Sequence, residues 1–433
     1  MIQTLHTSFH PNLDLARPDQ KRGTRLRKIL FPLLALTMLL IGCAQAPDHS
    51  DPWLSFKYQS VCPDLKSCAD LTDIGDGGEA DQYYRAIGAE DANGNVIIQN
   101  FDQWKQTFGI AFNSPVQAIY ANKLDLQLGR DMNCVEFPDT GRVVCYVTNY
   151  GPAPFDGGKD QENPNWPNLD QGVSDALGGD IHNSFATVAM VYDPNGIGTN
   201  GDKVAFYVFA QDPNDHGNQL LSRFAALDGE GGKTNPRMCM ACHGGTYHEQ
   251  DDTKNSPPQF HAHSVTGANF LPFDVQSFYY ADAPHDLDSQ QEAFRQLNKM
   301  VLDTHPNQPI QNLINGLYSN NVGTSGAAVP DDTFIPQDWK DSQLSKNLYK
   351  GLFRHYCRMC HVASTLSFES FASFPAAPVH AVVCGSHDMP HAEVPFGGLA
   401  GSQQGFGLWK DGAAIQDLKD FLQSKGEDPK DCK

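Results

Sequence analysis

Two copies of one five-residue pattern constrain this chain of 433 residues more than any other feature. Cysteine, two variable residues, cysteine and histidine occur at 239–243 and again at 357–361. Two thiols three positions apart, followed at once by an imidazole, form the attachment pattern of c-type haem. The spacing suits that chemistry, because the thiols add across the two porphyrin vinyl groups and the adjacent histidine reaches the iron. The pattern therefore predicts two covalent haem c groups. It assigns thioether bonds to Cys239, Cys242, Cys357 and Cys360, and proximal iron ligation to His243 and His361.

Two other uses of paired cysteines are less consistent with the sequence. A structural zinc site would join the two pairs through one ion and close the long loop between Cys242 and Cys357. A thioredoxin-like redox pair has no need for the histidine that follows both motifs. Haem attachment accounts for the cysteines and for both histidines.

Composition excludes several classes of protein. The formal net charge of −20 offers no basic surface to neutralise nucleic-acid phosphates, so we expect no nucleic-acid partner. The chain contains 25 Phe, 14 Tyr and 5 Trp, which suffice for a sizeable core and exclude a disordered tail protein. Its one long apolar run excludes a polytopic membrane protein.

That apolar run, residues 29–41, predicts export. It follows five basic residues within 21–28 and is short for a bilayer span, as in a signal peptide. Its end, Leu40-Ile41-Gly42-Cys43, resembles the lipobox of bacterial lipoproteins, which implies a signal peptide over 1–42 and lipidation of Cys43. The resemblance implies a periplasmic protein anchored at the outer membrane. The turn-rich, acidic composition of the residues that follow predicts a tether over 43–80. An ordinary cleavage after Ala46 is the alternative, and removal of 1–42 changes the net charge to −24.

Six further cysteines predict three disulfides, because an even remainder in an oxidising compartment favours pairing. Six cysteines allow fifteen pairings, and local spacing suggests one of them. Cys134 and Cys145 flank a turn at 138–141 and would join the two strands of a hairpin. The other suggested pairs are Cys62 with Cys68 and Cys384 with Cys432.

Residues 336–433 resemble a small class I cytochrome c domain. Helical periodicity over 342–356 leads into the second motif, and a second helix is expected over 413–424. Between them Met389 precedes Pro390, as the distal methionine ligand does in that family, so the resemblance implies Met389 as the distal ligand of haem 2. Thioether ligation opposite histidine raises the reduction potential. Ligation by a second histidine is the alternative, from His380, His387 or His391.

The distal side of haem 1 has no comparable signal. Met132 and His263 are the leading candidates, and Arg130 beside Met132 could pair with a haem propionate. The segments 129–134 and 270–274 resemble a little-characterised group of bacterial di-haem cytochromes, without identifying a ligand. The weaker candidates are His248, His261 and Met300. An open sixth position is the remaining possibility.

The pattern of elements predicts an α+β fold. Residues 81–322 are expected to form a mixed domain with a small antiparallel sheet that carries haem 1, joined by a linker over 323–335 to an all-α cytochrome c-like domain over 336–433. Strands are expected at 117–121, 143–149, 187–192 and 204–210. Helices are expected at 81–87, 101–108, 219–227, 289–304 and 310–318. The loop 193–202 is rich in Asp, Asn and Gly but lacks the spacing of a calcium loop, so ordinary turns are favoured over calcium.

These features favour electron transfer between redox partner proteins in the periplasm or at the outer membrane. The alternative is an enzyme of the di-haem peroxidase type, with an open or labile iron at haem 1. The two halves of the chain differ, whereas those peroxidases contain a tandem pair of similar cytochrome units. A sensor or an accessory subunit of a respiratory complex is a third, weaker class.

The cysteine assignment makes a direct prediction about thiols. If Cys43 carries lipid, four cysteines carry haem and six form disulfides, the unfolded mature protein has no thiol to alkylate before reduction. Alkylation and mass spectrometry under non-reducing conditions measure this. Six modified cysteines would contradict the disulfide assignment.

Overall fold

The structure is a computed structural model that describes most of the chain from Gly77 onward. The described residues are 77–122, 127–151, 168–212, 214–225, 233–251, 261–324, 326, 329–364, 368–386 and 408–432. Six residues with predicted or alternative roles lie outside these ranges: Cys43, Cys62, Cys68, His387, Met389 and His391.

An antiparallel sheet dominates the first part of the described chain. Its longer strands are β1 (Val116–Asn122), β2 (Gly129–Phe137), β3 (Arg142–Tyr150), β4 (Ser184–Ile197), β5 (Asp202–Asp212) and β6 (Asp215–Leu221). Four short strands follow: β7 (Phe224–Ala225), β8 (Lys233–Thr234), β9 (Thr246–His248) and β10 (Ser264–Thr266). The last strand, β11 (Phe278–Tyr279), pairs with β1, so that seven strands of the described chain lie in the order β11-β1-β2-β3-β4-β5-β6.

Strand β3 shows why these residues form a central strand. Its sequence is rich in β-branched and aromatic residues, and most of its side chains are buried. A near-continuous apolar run of this kind is typical of a strand that is covered on both faces. Cys145 on β3 lies directly opposite Cys134 on β2, and the two form the disulfide that was predicted for this hairpin.

Helices lie before, between and after these strands. In chain order they are α1 (Gly77–Ala86), α2 (Phe101–Thr107), α3 (Leu169–Gly178), α4 (Arg237–His243), α5 (Leu287–Asp303) and α6 (Gln308–Leu317). The C-terminal part contains α7 (Gln343–Asn347), α8 (Arg354–Tyr356), α9 (Arg358–His361), α10 (Ala376–Val379) and α11 (Gly412–Ser424). A π-helical segment, Leu348–Phe353, connects α7 to α8.

The two faces of the sheet are covered by different parts of the chain. Successive side chains of a strand point to opposite faces, so residues opposite each other in the ladders share a face. On one face the ring of Trp104 from α2 packs against Tyr146 and Tyr207, and α3 contacts β1, β2 and β3. On the other face Tyr120 stacks on Phe278 at a ring-centroid distance of 4.0 Å. The sheet is therefore the middle layer of this part of the molecule.

The structure confirms a mixed α+β fold and corrects two of its details. The antiparallel sheet is large rather than small, because β2, β6 and β11 are present in addition to the four strands that the sequence predicted. The helix expected over 219–227 is wrong, since this region contains β6 and β7. The backbone of Gln219, Leu220 and Leu221 pairs with β5 instead. Helix α3 was not predicted.

The C-terminal part has a hydrophobic cluster of its own. The π-helical segment packs against α11 through Leu352, Phe353, Leu418 and Phe421, around the fully buried Trp339. The disulfide Cys384–Cys432, which was also predicted, is buried within this cluster. In the described chain, no helix has both the length and the apolar character needed to cross a bilayer.

Helix α3 provides a test of close packing on the sheet. A Cβ on Gly172 would lie 2.7 Å from the backbone nitrogen of Gly129 on β2. We expect Gly172→Ala to destabilise the protein by about 1–3 kcal/mol, because neither backbone can move without cost. Chemical denaturation measures this free energy of unfolding.

Gly178 is the matched control, since it lies in the same helix and a Cβ there meets no atom within 4 Å. Gly178→Ala should leave stability unchanged or raise it by up to about 1 kcal/mol, because alanine favours the helix. Equal effects of the two substitutions would contradict the packing assignment.

Candidate functional site

The first five-residue motif occupies the short helix α4, which is held from both sides. Arg237, the first residue of the helix, is buried. Its guanidinium donates to Glu79 at 2.6 Å and to Glu249 at 2.8 Å. These bonds tie α4 to α1 and to the segment after β9. The helix thereby presents Cys239, Cys242 and His243 to one cavity.

This cavity, called here the sheet cavity, lies between α4 and one face of the sheet. It contains about 1600 Å³ of space, part of it open to solvent. Its walls are mainly apolar and aromatic. They include Tyr120, Met132, Val147, Val188, Met190, Phe206, Val208, Met238, Phe270, Phe273 and Phe278.

The hydrogen bond of His243 selects one form of its imidazole ring. Its Nδ1 lies 2.8 Å from the backbone carbonyl oxygen of Asn269, which can only accept a hydrogen bond. Nδ1 therefore carries the proton, and Nε2 keeps its lone pair. Burial lowers the pKa of His243 to about 4, so the ring is neutral near pH 7. A backbone carbonyl is one of the usual partners of the second ring nitrogen in a metal-binding histidine.

The structure separates the two leading candidates for the distal ligand of haem 1. Met132 lies on β2 and lines the sheet cavity together with Arg130. His263 is not among the cavity-lining residues, and its Nδ1 bonds to the hydroxyl of Tyr247 at 2.8 Å. Met132 is thus the candidate that shares a cavity with His243.

Sequence reasoning missed a second thioether in the same wall. Met190 on β4 lies opposite Cys145, and Met132 lies two positions from Cys134, so both methionines share the face with the disulfide. Only the strand register reveals this placement, because nothing in the local sequence distinguishes Met190. Gly244, which follows His243 directly, lies close to the second motif. A Cβ on Gly244 would lie 2.3 Å from the carbonyl oxygen of Ala363, just beyond the second motif.

The second motif carries a buried charge. Arg358, the first residue of α9, is 3% exposed, and its Nε donates to Asp274 at 3.1 Å. Its guanidinium also donates to the hydroxyl of Tyr349 at 2.7 Å. Asp274 ends the segment that lines the sheet cavity, so this ion pair joins the second motif to the wall of the first site.

His361 faces a different cavity. The buried His361 ring stacks on Phe368 at a centroid distance of 4.4 Å. This second cavity contains about 770 Å³ of space, part of it open to solvent, and its aromatic walls include Trp339, Tyr349 and Phe353. Cys357 packs against the C-terminal cluster, whereas Cys360 lines the sheet cavity. The structure thus brings three residues of the first motif to one cavity and divides those of the second.

The two motifs touch at their second cysteines. The sulfur atoms of Cys242 and Cys360 lie 3.6 Å apart, and α4 contacts α9. The side-chain amide of Asn307 adds a bond to the backbone carbonyl of Val362 at 3.2 Å. The two C-x-x-C-H motifs, which were expected in separate domains, are therefore neighbours.

Thiol chemistry argues against a redox-active cysteine pair. Burial raises the pKa of Cys239 above its usual value and that of Cys357 to about 12. Catalytic thiols of the thioredoxin type have lowered pKa values, since the thiolate is the reacting form. A shared zinc site is also poorly supported, because within the described ranges no three Cys, His, Asp or Glu side chains gather as metal ligands would.

Residues of the first site fit a haem group. Two thiols and a neutral imidazole with a lone pair on Nε2 lie on one short helix beside a mainly apolar cavity. Arg130 places a cation in the wall, where propionate carboxylates could pair with it. At the second site both ring nitrogens of His380 bond to carboxylates: Nδ1 to Glu427 at 2.9 Å and Nε2 to Asp431 at 2.8 Å. An iron ligand would need the lone pair of one of these nitrogens.

Asp193 in the loop considered for calcium accepts two hydrogen bonds from Arg142, at 2.9 and 2.6 Å.

Comparison of the chain with protein families, curated proteins and solved structures finds no match. The functional assignment therefore depends on the residues themselves.

The buried ion pair gives a prediction about stability. Asp274→Asn removes the carboxylate charge and leaves Arg358 buried without its counter-ion, which should cost about 3 kcal/mol. Urea denaturation measures the loss. Asp428→Asn is the control, because Asp428 pairs with Lys430 at an exposed position and should have little effect. Similar stability of the two variants would contradict this role of the pair.

Proposed function

We propose that the chain is a di-haem c-type cytochrome that transfers electrons after export from the cytoplasm. The observation that carries the proposal is the hydrogen bond from His243 Nδ1 to the carbonyl of Asn269. It leaves Nε2 able to bind iron, immediately after two cysteines and beside an apolar cavity. When bound, haem supplies a one-electron couple whose potential the protein adjusts.

The residues of the chain have separate roles in this proposal. Cys239 and Cys242 hold the first group covalently, and His243 binds its iron. The apolar walls of the sheet cavity limit the contact of a bound group with water, and solvent exposure and hydrogen bonding are among the features that set a haem potential. We propose the corresponding roles in the second motif for Cys357, Cys360 and His361. Haem binding there would have to bring these side chains to one group, since Cys360 and His361 line different cavities.

Distal ligands are assigned to methionine in both groups. Met132 is proposed for haem 1 because it lines the same cavity as His243. For haem 2 we propose Met389, on its resemblance to the methionine of class I cytochromes. Cys43 is proposed as a lipid anchor at the outer membrane, where redox partner proteins would exchange electrons with the haem groups. Release of the protein by osmotic shock without detergent would contradict the anchor.

Counting haem groups tests the central proposal. Purified protein from an exporting host should contain two haem groups per chain that survive denaturation, measured by the pyridine haemochrome spectrum and intact mass. The double variant C239S/C242S should retain one group, and so should C357S/C360S. Absence of covalent haem from the wild-type protein would refute the proposal.

The absorption spectrum tests the distal ligand. Two low-spin ferric haems are expected, with the weak long-wavelength band of methionine ligation. Met132→Ala should remove the contribution of haem 1 to this band, and Met389→Ala that of haem 2. Met190→Ala is the control, because Met190 lines the same cavity from β4.

If Met190→Ala removes the haem 1 contribution to the band and Met132→Ala leaves it, the distal ligand of haem 1 is Met190. A high-spin ferric signal in the wild-type protein, together with turnover of peroxide, would instead favour the peroxidase-like enzyme.

A further inference from the structure

We infer that the two motifs build one coupled di-haem centre, in which the haem edges adjoin at the sulfurs of Cys242 and Cys360. The inference rests on the proposed function, since it assumes that both motifs carry haem. It goes beyond that function because it describes two haem groups that are coupled to each other, not two haem groups that act independently. Electrons would then pass between the haems inside the chain.

The distance between the two sulfurs carries the argument. The 3.6 Å between Cys242 Sγ and Cys360 Sγ is van der Waals contact. In a thioether-linked haem the sulfur is two covalent bonds from the pyrrole edge, about 3 Å. The two porphyrin edges can therefore be no more than about 10 Å apart, whatever the orientation of either ring. This limit depends on the positions of the cysteines alone.

Several contacts fix the two sulfurs in place. Gly244 follows the first motif at φ +65°, and its lack of a side chain allows the backbone of Ala363 to approach. Asn307 bonds to the carbonyls of both Val362 and Ala363, at 3.2 and 3.4 Å. Together with the ion pair between Arg358 and Asp274, these contacts hold α4 and α9 at a fixed separation.

Proximity in a poorly hydrated interior has an electrical consequence. A unit charge acts more strongly through protein than through water, because the effective dielectric constant is lower. An electron on one haem therefore makes the second haem harder to reduce. The two groups should titrate as an interacting pair, not as two separate sites.

The primary experiment measures distance in the intact oxidised protein. After haem counting confirms two groups per chain, pulsed electron paramagnetic resonance reports the dipolar coupling between the ferric ions. Because each iron is only three further bonds from its pyrrole edge, we expect an iron–iron distance below about 20 Å. Two haem groups with a longer distance, or with no coupling, would overturn the inference while leaving the proposed function intact.

A pair of glycine variants tests the cause of the contact. Gly244→Ala introduces a Cβ that would clash with Ala363, so the iron–iron distance should increase while both haem groups remain. Gly201→Ala is matched, since Gly201 also has a positive φ, +74°, but a Cβ there meets no atom within 4 Å. It should leave the distance unchanged. An unchanged distance in Gly244→Ala would contradict the role of this close approach.

Peptide mapping of the same preparation excludes a different use of the two sulfurs. If Cys242 and Cys360 carry haem, each is recovered as a haem peptide. A disulfide-linked peptide that contains both residues would overturn the inference, because it would show that these sulfurs bond to each other. The haem count then shows whether the proposed function fails as well.

Discussion

The ion pair between Arg358 and Asp274 is the interaction on which the placement of the two motifs depends. A buried guanidinium is costly unless a carboxylate and further polar groups satisfy it. Arg358 lies inside the second motif, Asp274 ends a wall of the sheet cavity, and Tyr349 belongs to the C-terminal cluster. Three distant parts of the chain therefore meet at one charge. Moving the second motif away would leave this charge without its counter-ion.

The sheet supplies the rigid wall against which the first motif is placed. One face packs against side chains of α2, whereas the other face lines the cavity. The disulfide between Cys134 and Cys145 crosses two strands on the cavity side. Side chains on paired strands are held more precisely than side chains on loops. Met132 and Met190 are thereby presented from positions that the strand register determines.

Local patterns predicted much of the secondary structure but not the extent of the sheet. The strand over 143–149 was predictable because its β-branched run is bounded by turn residues, and α5 because its apolar spacing is regular. Strand β6 was misread as helix because its few apolar residues do not distinguish the two periodicities. Strand β11 has two residues, and only its pairing with β1 makes it a strand. Pairing partners distant in sequence leave no local trace.

The sequence by itself determined the chemistry that is proposed for this protein. Two C-x-x-C-H motifs predict covalent haem and its proximal ligands, because covalent attachment and ligation need those residue types at that spacing. The hairpin disulfide followed from spacing as well. Only the tertiary structure decided that Met132 and not His263 lines the cavity, and that the two motifs touch. These placements depend on packing between residues far apart in the chain, which the order of residues along one segment does not reveal.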